Sequence, residues 1–212
     1  RPGKKDKGLL EACKANTEYV LRKNEFDRNI KVKFNELKKG LKLQKEIDLI
    51  ESFDISHHAG KNAVAGCVVY STKGKAKQAY RSYNISKSNW GNDIGSMTEL
   101  IERRFSGINA SELPGLIIID GGKTHLKQVL KTFQSYNIND VNIIAISKGV
   151  RRKAAFDMIH LTNGGSISVD KGSIFHQFIQ EIRDETHRYS LAIQKKKMRK
   201  TSIQSSVDEL PG

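Results

Sequence analysis

The chain has 212 residues, with 37 lysines and arginines against 23 aspartates and glutamates, a formal net charge of +14. That length allows one substantial core or two small ones, and so large a positive excess favours a polyanion partner, nucleic acid above all. No apolar run approaches the roughly 20 residues of a membrane span, nothing resembles a signal peptide, and Cys13 and Cys67 give neither a disulfide framework nor zinc spacing, which fits a reducing, cytoplasmic setting.

Residues 1–8, Arg-Pro-Gly-Lys-Lys-Asp-Lys-Gly, are charged and rich in Gly and Pro, and read as a linker. Leu9 to about Phe26 follows helical spacing loosely, and a second basic helical stretch covers about Lys31 to Leu43. Ile50 to His58 alternates as a strand, with Phe53 and Ile55 on one side and Ser52, Asp54 and Ser56 on the other. An acid in mid-strand is costly in a half-buried sheet unless something positive needs it. Ala63 to Ser71 is the next strand, Lys73-Gly74 its turn, and Gln78 to Ile85 the third strand of a meander. Asp93 to Phe105 places Ile94, Met97, Leu100, Ile101 and Phe105 at steps of three and four, an amphipathic helix.

A wholly apolar run, Leu116-Ile117-Ile118-Ile119, then delivers Asp120 to the end of a strand covered on both faces. Thr124 to Tyr136 is a helix, Val141 to Ile146 a strand, and residues 148–153 a basic turn. Ala154–Leu161 and Ser166–Val169, joined through Asn163-Gly164-Gly165, form a hairpin. A long helix runs from Ile174 to about Lys200, and Ser205 to Glu209 offers the N-cap of one more. The chain opens on Arg1 without methionine and closes on Leu210-Pro211-Gly212, as an excised piece of a longer protein would.

Three antiparallel strands followed by βαβ units predict an α/β fold: a mixed five-stranded sheet with helices on both faces, the ribonuclease H-like architecture. In such a sheet the first and fourth strands can lie side by side, which would bring Asp54 and Asp120 together at one rim, where two carboxylates can converge on a metal ion. The final helix carries His187 roughly 120° from the centre of its apolar stripe at about 100° per residue, on a flank shared with Arg183, Ser190 and Gln194. Helical geometry alone leaves it either a boundary histidine, paired with Asp184, or a residue reaching a cleft beside the sheet. His57 and His58 lie close enough to Asp54 to support it; His125 and His176 fit first-turn helix positions, and His160 a hairpin position.

Five motifs carry a resemblance that spacing cannot name: Phe-Asp-Ile-Ser-His (53–57), Glu-Arg-Arg-Phe (102–105), Ile-Asp-Gly-Gly-Lys (119–123), Ser-Lys-Gly-Val (147–150) and Ile-Arg-Asp-Glu-Thr-His-Arg (182–188). Together, and in this order, they resemble the C-terminal half of the UvrC family, the nuclease subunit of the bacterial excision-repair excinuclease. The resemblance implies a metal-dependent endodeoxyribonuclease that cuts on the 5′ side of a DNA lesion, working with UvrB in a damage-bound complex and using no nucleotide cofactor. It puts a metal-binding catalytic triad on Asp54, Asp120 and His187, for Mg²⁺ or Mn²⁺, and a further acid on Asp93. It also marks residues 49–200 as the nuclease domain, 1–48 as an N-terminal linker and helical segment, and 201–212 as the start of a helix-hairpin-helix module. Two positions depart from the family pattern: Trp90-Gly91-Asn92-Asp93-Ile94 replaces Pro-Gly-Asp-Asp-Tyr, so one acid of a pair is an amide, and Arg151 stands where an acid is common.

Candidate phosphate contacts are Arg81, Arg103, Arg104, Lys148, Arg152, Lys153, Arg183 and Arg188, each equally compatible with a solvated surface charge. Two other readings share the fold: a catalytically silent nucleic-acid-binding domain, which would not depend on a metal, and another ribonuclease H-like nuclease, acting on RNA–DNA hybrids or deaminated bases.

Overall fold

The computed structural model describes residues 4–58, 61–139, 141–147, 158–168 and 172–208. Helix α1 (Lys4–Gly40) leads to strands β1 (Leu49–His58) and β2 (Lys61–Ser71), then to the short strands β3 (Gly74–Lys75) and β4 (Arg81–Asn84). Helix α2 (Asp93–Phe105), strand β5 (Leu116–Asp120), helix α3 (Lys123–Ser135) and strands β6 (Asn142–Ser147), β7 (Met158–Leu161) and β8 (Ser166–Ser168) follow, and helix α4 (Ile174–Asp208) closes the order.

The two helical stretches expected before the sheet are one helix, and it already begins inside the expected linker. Between Leu9 and Lys39 the sequence holds neither Gly nor Pro, so nothing interrupts the backbone ladder. From Ile30 on it buries Ile30, Phe34, Leu37 and the following Leu41, at steps of four, three and four, whereas the earlier Leu9, Val20, Leu21 and Phe26 stay exposed. At the other end α4 runs unbroken to Asp208, through the expected N-cap at Ser205. No Gly or Pro stands between Ile174 and Asp208, so the helix has no stop signal there.

The sheet runs β3-β2-β1-β5-β6-β7-β8, with β4 also on β2. β1 pairs antiparallel with β2 and parallel with β5, and β5 parallel with β6. The third strand of the meander, expected over Gln78–Ile85, is the shorter β4 on the middle of β2; the 3₁₀ turn Lys77–Ala79 takes its first residues, and β3, at the expected turn, pairs with the end of β2. Gly74, at φ +99°, supplies the left-handed residue of the tight turn between β2 and β3. The expected mixed sheet is therefore present, but among the described residues its five strands grow to eight. The β7–β8 hairpin does not stand apart; β7 pairs antiparallel with β6 and covers an edge that buried Ile144 and Ile146 would otherwise leave open. Residues 154–157 of the predicted hairpin lie outside the described residues.

Each sheet face has its own core. Ile50, Tyr70, Ile118 and Ile144 meet the second half of α1 and Phe178, Ile179 and Ile182 of α4. On the other face Phe53, Ile117 and Ile119 meet Leu100, Ile101 and Phe105 of α2 and Val129 and Phe133 of α3. Among the described residues no helix is long and apolar enough to cross a membrane. Cys13 is exposed and Cys67 buried, both as free thiols.

Candidate active site

β1, β5 and β6 run parallel to one another, so their carboxyl ends share one edge of the sheet, the edge where open α/β sheets bind ligands. Alternation sends Ile50, Ser52, Asp54 and Ser56 of β1 toward α4, and Ile118 and Asp120 of β5 to the same face. Phe53 is in register with Ile119, which sets the next residue on each strand, Asp54 and Asp120, side by side.

Polar contacts from every fourth residue of α4 dock the helix on β1. The Thr186 and Ser52 hydroxyls lie 2.8 Å apart, Ser190 Oγ donates to the Asp54 carbonyl at 3.2 Å, and Ser56 Oγ donates to Gln194 Oε1 at 2.9 Å. That register leaves His187 half-exposed, at 58 % for the side chain, with Nδ1 3.2 Å from Asp54 Oδ2. Donor atoms of Asp54, Asp120 and His187 all lie within 4.8 Å of one another, a set that could hold a metal ion. Burial first, and then the charge of Asp120, push the Asp54 carboxyl above its ordinary range, with His187 and Ser190 pulling the other way. A cation among these groups would relieve that repulsion, so this donor set suits a hard divalent ion.

Gly66 makes the helix seat possible. It is the register partner of Asp54 on β2, and a Cβ there would fall 2.5 Å from Ser190 Oγ and 3.3 Å from Ser190 Cα. Gly66→Ala is expected to cost about 1–3 kcal/mol, the usual range for overpacking, and Ser190→Ala in the same chain should return part of it. Denaturant unfolding of the three chains checks this; a Gly66→Ala chain as stable as its parent would mean that α4 is not seated this closely.

The acids open onto a cleft of about 360 Å³ lined by Asp54, Asp93, Asp120, Gly121, His125, Ser147 and Arg183, among others. Arg183 Nε stands 3.6 Å from Asp120 Oδ1. Asp93, the first residue of α2, faces the cleft and meets His57 Nε2 at 2.7 Å, so it contacts the end of β1 and lies outside the Asp54–Asp120–His187 cluster. The neighbouring Asn92, the amide that departs from the family pattern, is the N-cap of α2 and accepts from the Gly95 amide at 2.9 Å. Asn and Asp cap about equally well, which accounts for an amide here. His125, which the sequence marked only as a first-turn residue, is a cleft residue. Gly121, four residues earlier, leaves it room: a Cβ on Gly121 would fall 2.8 Å from His125 Cγ.

The expected phosphate contacts divide sharply. Arg183 lies in the cleft. Arg104 lies away from the cleft: its side chain is only 11 % exposed and its guanidinium clasps Glu51 on the opposite sheet face, at 2.6 and 2.9 Å. Arg81 stands 3.6 Å from the same Glu51 but is half-exposed. Arg103 donates to the Asn84 carbonyl at 2.5 Å and pairs with Glu99. Arg188 is bidentate to Glu185 and, with Lys75 and Tyr80 alongside, holds that carboxyl down to about 2. Lys148, Arg152 and Lys153 lie outside the described residues, as does the Arg151 departure.

Comparison with known proteins places the chain. Residues 38–191 match the profile of the UvrC RNAse H endonuclease domain. The UvrABC system protein C of Legionella pneumophila (strain Paris) is 36 % identical over 185 residues, covering 86 % of this chain and 30 % of that protein. Its counterpart in Coxiella burnetii (strain CbuK_Q154) is 32 % identical over 206 residues, covering 96 % and 33 %. The chain thus spans about a third of the length of the curated relatives it matches. Among solved structures, that of human ENDOV is 11 % identical with a TM-score of 0.45, over 82 % of this chain and 98 % of that one.

Proposed function

Because this chain belongs to the UvrC RNase H endonuclease domain family, we propose that it is the catalytic part of a nucleotide excision repair nuclease. Its reaction is hydrolysis of a DNA phosphodiester on the 5′ side of a lesion. The observation that carries the reading is the convergence of Asp54, Asp120 and His187 at the carboxyl edge of the sheet, with both acids opening onto a cleft that also holds a cation, Arg183. Mg²⁺ or Mn²⁺ held by those three residues would polarise the phosphoryl group and acidify a bound water. The imidazole, in a position where a carboxylate would be the harder ligand, favours Mn²⁺.

The remaining roles belong to the protein. Asp54, buried, fixes the position of the negative charge; Asp120, at the rim, completes the carboxylate pair; His187 is kept beside Asp54 by the Thr186, Ser190 and Gln194 contacts. Arg183 offers a fork for a phosphate oxygen, and Asp93 with His57 steadies the opposite wall. Residues 49–200 form the nuclease unit, with 1–48 as a preceding helical segment and 201–212 as the approach to a helix-hairpin-helix module. A damage-bound complex containing UvrB would present the strand, and the setting is the cytoplasm.

The test is nicking of supercoiled plasmid by this chain with Mn²⁺ or Mg²⁺, beside an EDTA control and an RNA–DNA hybrid. Metal-dependent nicking of DNA that EDTA stops is the expected result. Cleavage confined to the hybrid would point to a different ribonuclease H-like activity. DNA binding that is insensitive to metal, without any cut alone or in the full-length chain with its partners, would overturn the nuclease reading in favour of a silent binding domain.

A further inference from the structure

Beyond the acids and Arg183, the cleft contains a hydroxyl held by a buried histidine, which an exposed serine meets in turn. Ser147 ends β6, one residue past Ile146, the register partner of Asp120, and it lines the cleft beside Gly121 and His125. Its Oγ lies 2.8 Å from His160 Nε2, and His160 Nδ1 lies 3.0 Å from Ser166 Oγ across the β7–β8 pair. His160 is 8 % exposed. Burial first, and then the charge of Lys123, lower its pKa, which favours the neutral ring.

The geometry points to Ser147 as a phosphate-binding residue of the cleft, with its hydroxyl oriented by His160 and Ser166. A neutral imidazole has one donor and one acceptor, and a serine hydroxyl has a single hydrogen. When Ser166 donates to Nδ1, the Nε2 hydrogen goes to Ser147 Oγ, and the Ser147 hydrogen is left to donate into the cleft. In the other tautomer Ser147 spends its hydrogen on Nε2 and shows the cleft only lone pairs, which a phosphate oxygen would avoid. A phosphate that reaches Ser147 in the cleft therefore selects the Nε2–H form. This explains what the hairpin contributes: β7 and β8 hold the buried ring whose tautomer decides whether Ser147 can donate. The inference rests on the nuclease reading above.

The experiment combines nicking kinetics with ¹⁵N-histidine NMR. Ser147→Ala is expected to raise KM for plasmid DNA about tenfold, the size of a hydrogen bond to a charged group, with kcat little changed; Ser147→Thr should restore the parent value, and Ser166→Ala should give part of the loss. Inorganic phosphate, added to the metal-free chain, should move His160 toward the Nε2–H form in the parent and not in Ser147→Ala. Nicking by the parent with an unaltered KM in Ser147→Ala would overturn this proposal alone. Absence of nicking by the parent would count against the nuclease reading, and the phosphate titration then decides for Ser147 by itself: an His160 signal that does not respond, or responds equally in Ser147→Ala, overturns it.

Discussion

Asp54→Asn is expected to abolish metal-dependent cleavage while leaving the metal-free chain more stable than its parent. A carboxylate ligand helps supply several kcal/mol of transition-state charge stabilisation, on the order of 10³-fold in rate. In the metal-free fold the same charge is a liability, since burial and the neighbouring Asp120 both oppose it. The folded chain therefore binds the Asp54 proton more tightly than the unfolded chain does, and ionising it costs stability. That cost is absent below the ordinary value of 3.8, grows as the pH rises toward the raised folded value, and is complete above it. An asparagine carries no such cost, so in EDTA the Tm advantage of Asp54→Asn should be near zero in acid and positive at neutral pH. Divalent metal reverses the order: at 100-fold over Kd it should add about 2.7 kcal/mol to the parent and little to the variant. Thermal unfolding with and without Mn²⁺, set beside nicking rates, checks both halves. A variant that still cuts, or one that is less stable than the parent in EDTA at pH 7, would remove Asp54 from the centre of the site.

Much of this was legible in the chain because the two periodicities are clean where the site is built. The apolar run before Asp120 reads as a covered strand, and the steps from Ile94 to Phe105 as an amphipathic helix. Those elements allow β1 beside β5, and the structure pairs them, which sets Asp54 beside Asp120. His187 was not legible from geometry alone. Its place depends on Thr186, Ser190 and Gln194 being buried against Ser52, Gly66 and Ser56, and a helical wheel reads such polar residues as a solvated flank. The resemblance supplied what the wheel could not. Glu51 was passed over for a related reason: Asp54 drew attention as a mid-strand acid, yet three residues earlier Glu51 is only 1 % exposed and its cation comes from α2, far away in sequence. Arg104 could be told from a surface cation only once that partner was known. The shortening of the meander's third strand to β4, and the hairpin's union with β6, depend on pairing that single-strand patterns do not encode.

The Glu51–Arg104 pair carries the largest expected effect on stability. Both charges lie in the core between β1 and α2, Glu51 receiving Arg104 Nη2 at 2.6 Å and Nε at 2.9 Å, with Arg81 at 3.6 Å as a half-exposed third member. Removing one partner leaves the other charge buried without compensation, and about 3–5 kcal/mol is lost in such cases, a large share of the roughly 5–15 kcal/mol that a domain possesses. Glu51→Ala should therefore unfold at much lower denaturant concentration than the parent. Glu51→Gln, which keeps one acceptor for the guanidinium, should fall between the two. Glu51→Leu combined with Arg104→Met should recover most of the loss, because a buried pair can be exchanged for apolar residues of similar volume at little net cost. If Glu51→Ala costs less than about 1 kcal/mol, the value of an exposed pair, then these charges are not desolvated as described. A double replacement as damaging as the single one would show that the pair specifies the packing of α2 on the sheet instead of merely neutralising itself. Glu51 faces away from Asp54, so the fraction of Glu51→Ala that is folded should bind metal at Asp54, Asp120 and His187 as the parent does. Metal affinity, measured at a temperature where the variant is still folded, separates damage to the fold from damage to the site.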